Sequence, residues 1–303
     1  MSKLIAFGWY GGKYSHLDWL LPLLPEATHY CEPFGGSAAV LLNRKPAPVE
    51  TYNDIDSEVA NFFRVLRDQQ QELIKAIGLT PFSREELRIA VEESLEGVSD
   101  LERARRFFVR ARQVRTGLAQ TASAGRWAHC KLTSRAGMAG AVSRWLGSVE
   151  GLSEIVQRLL RVQIENAPAI EVIKRYDSPE TLFYCDPPYP HDSRSDVNAY
   201  GFELTDSEHR ELAEVLHSVQ GKIAISSYHC ELMDELYGDW NYIESAPKKA
   251  HSTNTRSDNL KQDRVEVLWV NYEIAKLEII ECQSQQISLM PLFGGQSKTF
   301  NSQ

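Results

Sequence analysis

Apolar residues recur along this chain in two patterns, short runs typical of buried strands and stripes typical of helices. One stripe at positions i, i+3, i+4 and i+7 consists of Val59, Phe62, Phe63 and Leu66, and a second consists of Leu152, Ile155, Val156, Leu159 and Leu160. Strand-like runs lie at residues 162–164, 182–185, 222–226 and 265–271. Thr205 and Glu208 have the spacing of a helix cap. The alternation of strands and helices predicts a doubly wound α/β sheet.

The α/β alternation is interrupted between residues 67 and 147. Ser83 begins a capping-box pattern, residues 103–115 read as a helix, and glycines recur in a loop near 117–140. We therefore expect a catalytic domain at 1–66 and 148–275, a mainly helical insertion at 67–147, and a C-terminal tail at 276–303.

A short motif, Asp186-Pro187-Pro188-Tyr189, directly follows the strand-like run 181–185. A carboxylate and the Pro187 carbonyl can each accept one hydrogen of an exocyclic amino group, and Tyr189 offers a flat ring for a planar base to stack on. The prolines stiffen the loop and remove two donors. An ordinary strand-to-turn exit would use the same residue types.

A second motif lies upstream, where residues 31–37 (Cys-Glu-Pro-Phe-Gly-Gly-Ser) join an apolar strand to a helix. The glycine pair allows close approach of a ligand to the backbone. About 20 residues further on, Asp54 ends another strand, as in folds that bind the hydroxyls of a ribose. A plain turn explains a glycine pair that lacks such an acidic partner.

These motifs, in this order, resemble the Dam-type DNA adenine-N6 methyltransferases. The N-terminal Trp9-Tyr10-Gly11-Gly12-Lys13 is similar to that family's opening, and the likeness covers roughly residues 7–272. It implies a Rossmann-like, S-adenosylmethionine-dependent methyltransferase fold in which the insertion reads DNA. Where the family often has the last glycine of its loop, this chain has Ala38.

The resemblance also assigns roles to individual residues. It implies that S-adenosylmethionine binds to Trp9, Lys13, Glu32, Pro33, Phe34, Gly35, Gly36, Ser37, Asp54 and Asp186. It implies that Asp186, Pro187 and Tyr189 are catalytic and hold the target adenine.

The charge is unevenly distributed along the chain. The formal net charge is −8, yet residues 103–149 contain no Asp or Glu and ten basic residues. Such segregation favours a phosphate-binding surface over a generic solvated one. We expect DNA contacts from Arg112, Arg115, Arg126, Trp127, Lys131 and Arg135, and core positions for Phe107 and Phe108. Residues 248–264 are basic too. This segment is predicted equally well to flank the bound DNA or to be an ordinary disordered connection.

Composition limits the class of protein. The five cysteines are scattered without a C-x-x-C pair, so we expect reduced thiols, with Cys31 and Cys185 in the core and no metal site. No apolar run is long enough to span a membrane, and a signal-peptide pattern is absent. We expect a cytoplasmic, nucleoid-associated protein that is a monomer or weak dimer, acts on double-stranded DNA, and has a cognate restriction enzyme as an optional partner.

We expect the enzyme to rotate an adenine out of the duplex, because its amino group is otherwise engaged in base pairing. Asp186 would orient the amine for direct attack on the cofactor's methyl group and stabilise the charge developing on nitrogen. Two alternatives stay open at this point, a cytosine-N4 methyltransferase and an inactive DNA-binding protein on the same fold.

Overall fold

In a computed structural model of the chain, the described residues are 3–115, 117, 119–120, 122–193, 202–246 and 265–274. The predicted loop at 248–264 and the predicted tail at 276–303 lie outside the residues that the structure describes.

The strands of the described chain form one large sheet and one small hairpin. In chain order they are β1 (His29–Glu32), β2 (Val49–Asn53), β3 (Ser134–Arg135), β4 (Met138–Ala139), β5 (Val162–Glu165), β6 (Thr181–Cys185), β7 (Lys222–Ser227), β8 (Asn241–Glu244) and β9 (Val267–Val270). The large sheet has the order β5-β2-β1-β6-β7-β9-β8. Its first five strands are parallel, and β9 runs antiparallel to both neighbours.

The α-helices of the described chain are α1 (Leu17–Leu20), α2 (Ala39–Asn43), α3 (Ser57–Asp68), α4 (Gln70–Gly78), α5 (Arg84–Glu92), α6 (Asp100–Gln113), α7 (Gly140–Glu150), α8 (Leu152–Leu159), α9 (Ala169–Tyr176), α10 (Asp206–Ser218) and α11 (Glu231–Tyr237). Short 3-10 turns lie at Lys13–His16, Leu21–Leu23, Ala124–Arg126 and His191–Ser193. No helix in the described part is long and apolar enough to cross a membrane.

The α/β prediction is confirmed. One face of the sheet packs Cys31, Phe183 and Cys185 against apolar residues of α9, α10 and α11. Helix α8 contacts both α2 and α3, and α3 also contacts the edge strand β5. At α10 the Thr205 hydroxyl and the Glu208 carboxylate complete the predicted capping box.

The predicted helical insertion contains α4, α5, α6 and most of α7. Its longest helix, α6, packs on α3, and the predicted core residues Phe107 and Phe108 are buried there beside Phe62. Ser83 caps α5 by accepting from the amide of Glu85, without the reciprocal contact of the predicted capping box. Residues 1–273 cluster as one compact unit, so the domain boundaries stay a prediction.

The glycine-rich segment that was expected to be a loop contains the β3–β4 hairpin. Ser134 pairs with Ala139 and Arg135 with Met138, so Ala136 and Gly137 form a two-residue turn. Their φ angles are 52° and 75°, the left-handed values of a type I′ turn. Such turns favour Asn-Gly, and Ala at the first position conceals the hairpin from sequence patterns.

Candidate active site

The two sequence motifs meet at one edge of the sheet, the edge formed by the carboxyl ends of its parallel strands. The glycine loop follows β1 and the Asp-Pro-Pro-Tyr motif follows β6, and these parallel strands are neighbours in the sheet. The strand order reverses between them, and such switch points bind ligands at the carboxyl ends of strands.

A cavity of about 610 Å³ opens at this edge. Its walls include residues of both motifs and of the loops after β2 and β5: Trp9, Pro33, Phe34, Gly36, Asp54, Ile55, Ile170, Asp186 and Pro188. A smaller pocket beside it is lined by Lys13, Glu32, Gly35 and Ser37. Every residue that was expected to bind the cofactor therefore lies at one or both pockets.

Both glycines of the loop are required by close contacts. A Cβ atom at Gly35 would lie 2.1 Å from Cε2 of Tyr52, and one at Gly36 would lie 2.7 Å from Nε1 of Trp9. Gly36 has a φ of 48°, and its carbonyl accepts a hydrogen bond of 2.7 Å from the Tyr52 hydroxyl. The loop is thus fitted against two aromatic rings.

Ala38 departs from the family pattern in conformation. It is fully buried and takes φ 55° and ψ 28°, a left-handed conformation that costs a non-glycine residue about 1–2 kcal/mol. The alanine at this position therefore carries backbone strain.

Asp54 holds the glycine loop as well as facing the cavity. Its Oδ2 accepts from the amide of Gly36 and its Oδ1 from the amide of Asp56, both at 2.8 Å. Burial raises the pKa of Asp54 to about 7, although these two amides lower it. Each carboxylate oxygen can accept a further hydrogen bond, which suits the hydroxyl groups of a ribose.

Asn53 is a structural member of the site that the sequence did not single out. Its buried side chain donates to the carbonyls of Pro33 (2.8 Å) and Ala167 (3.0 Å) and accepts from the amide of Ala167. It ties the loop after β1 to the loop after β5. The chain offers no signal for this role beyond a polar residue at the end of an apolar strand.

Asp186 forms a partly buried ion pair at the junction of the two pockets. Its Oδ1 lies 2.6 Å from the Lys13 ammonium and accepts from the Ser226 hydroxyl at 3.0 Å. Burial raises the pKa of Asp186, and the Lys13 charge lowers it. Among the described residues Oδ2 makes no hydrogen bond, so it is placed to accept one from a ligand.

Glu32 lies deeper and accepts a 2.6 Å hydrogen bond from the Tyr30 hydroxyl. Burial raises the pKa of Glu32 to about 8, because the charged form loses water there.

Tyr189 is held inside the protein. Its side chain is 3% exposed and lines neither pocket, and its hydroxyl donates to the buried Glu266. The ring packs edge-to-face on Tyr228, with centroids 5.0 Å apart, and lies 5.0 Å from the Lys13 ammonium. The expected open stacking face is therefore not presented in this structure. Pro187 is buried beside it.

The basic insertion divides into two groups. Four arginines of α6 pair with carboxylates. Arg103 and Arg110 both pair with Glu58. Arg105 pairs with Glu86 and Glu102, and Arg106 pairs with Glu93 and Glu102. Arg112 donates to the carbonyls of Ile5 and Ala6. The Arg112 guanidinium thus holds the N-terminal segment in the fold, and its contact with DNA stays a prediction.

Trp127 also packs against protein. Its ring lies 5.3 Å from that of Phe82 and 6.0 Å from that of His129, with the Arg84 guanidinium 4.9 Å away. This packing argues against the predicted contact of Trp127 with DNA.

The remaining predicted DNA contacts are on the surface. Arg115 and Arg126 are exposed, as is every residue of 131–139, which includes Lys131 and Arg135. Leu132, next to the hairpin, is 96% exposed. Two of these exposed cations, Lys131 and Arg135, lie in the stretch 131–139 that contains the β3–β4 hairpin.

A nucleotide-type pocket joined to a Lys-paired aspartate in an Asp-Pro-Pro-Tyr loop defines the class as a methyltransferase acting on an amino group. A model of the family described as D12 class N6 adenine-specific DNA methyltransferase matches residues 9–254. The chain belongs to this family and is an enzyme that methylates N6 of adenine in DNA. The family decides against the cytosine-N4 and inactive alternatives.

Two curated relatives agree with this assignment. The Type II methyltransferase M1.LlaDCHI of Lactococcus lactis subsp. cremoris is 26% identical over 285 residues, covering 87% of this chain and 94% of the relative. A DNA adenine methylase of Vibrio cholerae serotype O1 is 27% identical over 220 residues, covering 68% and 74%.

One solved structure, an rRNA methyltransferase aviRa from Streptomyces viridochromogenes, covers 85% of this chain and 83% of its own at 14% identity. Its TM-score of 0.33 is too low to support an inference.

Proposed function

We propose that the enzyme takes its methyl group from S-adenosylmethionine and transfers it to an adenine extruded from double-stranded DNA. The observation that carries this proposal is the Asp186–Lys13 ion pair at the wall of a cavity that also contains the glycine loop and Asp54.

The residues at the cavity fit this cofactor. The volume of about 610 Å³ lies in the range of cofactor pockets. Asp54 supplies acceptors for ribose hydroxyls, Ile55 and Ile170 supply apolar walls for an adenine ring, and Gly35 and Gly36 leave room for the methionine part. When bound, S-adenosylmethionine supplies a methyl group that a neutral amine can attack directly.

Asp186 and the Pro187 carbonyl accept the two amino hydrogens of the target adenine in this proposal. Lys13 keeps Asp186 ionised in spite of its burial and fixes Oδ1, so that Oδ2 meets the amine. The carboxylate stabilises positive charge as it develops on nitrogen. The stacking of Tyr189 on the base stays a prediction; in the structure its hydroxyl is held by Glu266 and its ring lies 5.0 Å from the Lys13 ammonium.

Exposed cations of the insertion hold the DNA. Arg115, Arg126, Lys131 and Arg135 are all exposed, so their charges can face phosphates. A DNA substrate supports the expected cytoplasmic, nucleoid-associated location. The Type II name of the Lactococcus lactis relative supports a cognate restriction enzyme as partner, and a monomeric or weakly dimeric state stays a prediction.

The test is transfer of labelled methyl groups from S-adenosylmethionine to duplex DNA, followed by identification of the methylated nucleoside. Wild-type enzyme is expected to give N6-methyladenine. Asp186→Asn should abolish transfer and retain DNA binding, because it removes the charged acceptor and keeps the side-chain size. Asp18→Asn, at an exposed aspartate, is the matched control. Transfer by Asp186→Asn at the wild-type rate would refute the assignment of Asp186.

A further inference from the structure

Glu266 is a buried carboxylate immediately before β9. Glu266 is 3% exposed, and two hydrogen bonds to Ser245 fix its backbone. The Glu266 amide donates to the Ser245 hydroxyl at 3.0 Å, and the Ser245 amide donates to the Glu266 carbonyl at 2.7 Å. A charge at such depth is costly unless it is paired, so its partners indicate what it does.

One oxygen of Glu266 meets two residues of the proposed catalytic centre. Oε1 accepts from the Tyr189 hydroxyl and lies 3.1 Å from the Lys13 ammonium. The ammonium in turn lies 5.0 Å from the centroid of the Tyr189 ring. Glu266 therefore fixes Tyr189 and Lys13 relative to each other.

The same ammonium holds Asp186. It contacts Oδ1 of Asp186 at 2.6 Å and the Gly11 carbonyl at 2.8 Å. A single lysine thus lies between two carboxylates, 2.6 Å from Asp186 and 3.1 Å from Glu266. The negative charge of Glu266 also raises the pKa of Asp186.

We propose that Glu266 is a positioning residue for methyl transfer. Through one carboxylate oxygen, Glu266 sets both the position of the Tyr189 ring and the contact between Lys13 and Asp186. This inference rests on the proposed function, because it gives Glu266 a role only through residues that act on the base. It assigns the centre a member from the far end of the described chain, outside every motif.

The first experiment is single-turnover methylation by Glu266→Gln, with S-adenosylmethionine and duplex DNA. The neutral amide weakens the hold on the Tyr189 hydroxyl and removes the Glu266 charge from Lys13. The rate constant should fall by about tenfold or more, the loss expected for one hydrogen bond to a charged group. The KM for the cofactor should stay within about twofold, because the contacts of Asp54 and the glycine loop are unchanged.

Glu244→Gln is the matched control. Glu244 lies on the neighbouring strand, is exposed, and contacts His229 rather than Lys13 or Tyr189. It should keep the wild-type rate constant. An unchanged rate constant for Glu266→Gln, or a fall in melting temperature alone, would overturn the proposal.

The second experiment uses Tyr189→Phe, which removes the same hydrogen bond from its other end and keeps the ring. Its rate constant should also fall, and the double variant should be no slower than the slower single variant within about twofold. Additive losses, or an unchanged Tyr189→Phe, would overturn the coupling. Tyr189→Phe also decides the question if Glu266→Gln fails to fold.

The outcomes separate this inference from the proposed function. If wild-type enzyme transfers methyl groups and Asp186→Asn does not, the proposed function stands whatever Glu266 does. Inactive wild-type enzyme would instead remove the basis of both.

Discussion

Replacing Lys131 and Arg135 together by Ala tests which part of the basic insertion faces DNA. Both residues lie in the fully exposed stretch 131–139 around the β3–β4 hairpin, and no ion pair occupies either among the described residues. Each phosphate contact contributes about 0.9 to the slope of log K against log salt, so two lost contacts should flatten the slope by about 1.8. Between 50 and 200 mM salt, the variant should therefore lose about 12-fold less affinity than wild type.

Fluorescence anisotropy with labelled duplex DNA over that salt range measures the slope. Lys45→Ala/Lys222→Ala is the matched control, because both lysines are exposed and lie near the amino ends of β2 and β7, away from the site. The control should keep the wild-type slope.

Arg105 provides the opposite test. It belongs to the same basic run but is paired with Glu86 and Glu102, so Arg105→Ala should destabilise the fold and leave the salt slope unchanged. A flattened slope for Arg105→Ala, together with an unchanged slope for the hairpin variant, would refute the reasoning from ion pairing.

Two further predictions concern the cofactor pocket. Gly35→Ala should lower the free energy of unfolding by about 1–3 kcal/mol, because the added Cβ would overlap the Tyr52 ring. Gly125→Ala should change the free energy of unfolding little, because Gly125 has open space around it. Equal denaturation midpoints for the two variants would contradict this prediction. Since the pKa of Asp54 is about 7 and its ionised form accepts from hydroxyls, affinity for S-adenosylmethionine should rise as the pH rises through 7 and level off above it. Calorimetry at pH 6 to 8 should find that the affinity of Asp54→Asn rises less with pH than that of wild type, because only groups such as Glu32 then titrate. The same rise in affinity in both proteins would exclude Asp54 as the cause of the pH dependence.

The central architecture could be predicted because it follows from local patterns. The stripe through Phe62 and Phe63 became α3, and the motifs around Gly35 and Asp186 met because they follow strands that are parallel neighbours. Once the strands are recognised, the parallel sheet brings their carboxyl ends to one edge.

What escaped prediction depends on contacts between distant segments. The linear charge run gave no sign that Arg103 and Arg110 of α6 pair with Glu58 of α3. Ala136 hid the hairpin by taking a conformation that Ala rarely adopts. Asn53 and Glu266 belong to no motif, and only the folded chain reveals their partners.

The place of β9 in the sheet makes the end of the described chain essential to its beginning. β9 lies between β7 and β8, and among the described residues β8 pairs with no other strand. During synthesis, β7 therefore keeps an open edge until β9 emerges, and an open edge invites pairing with another chain. Lys13 is synthesised early, so its contact with Glu266 can form only after Glu266 has been synthesised. A nascent chain that stops before β9 should be both prone to aggregation and unable to assemble this centre, so completion of the fold and of the enzyme coincide.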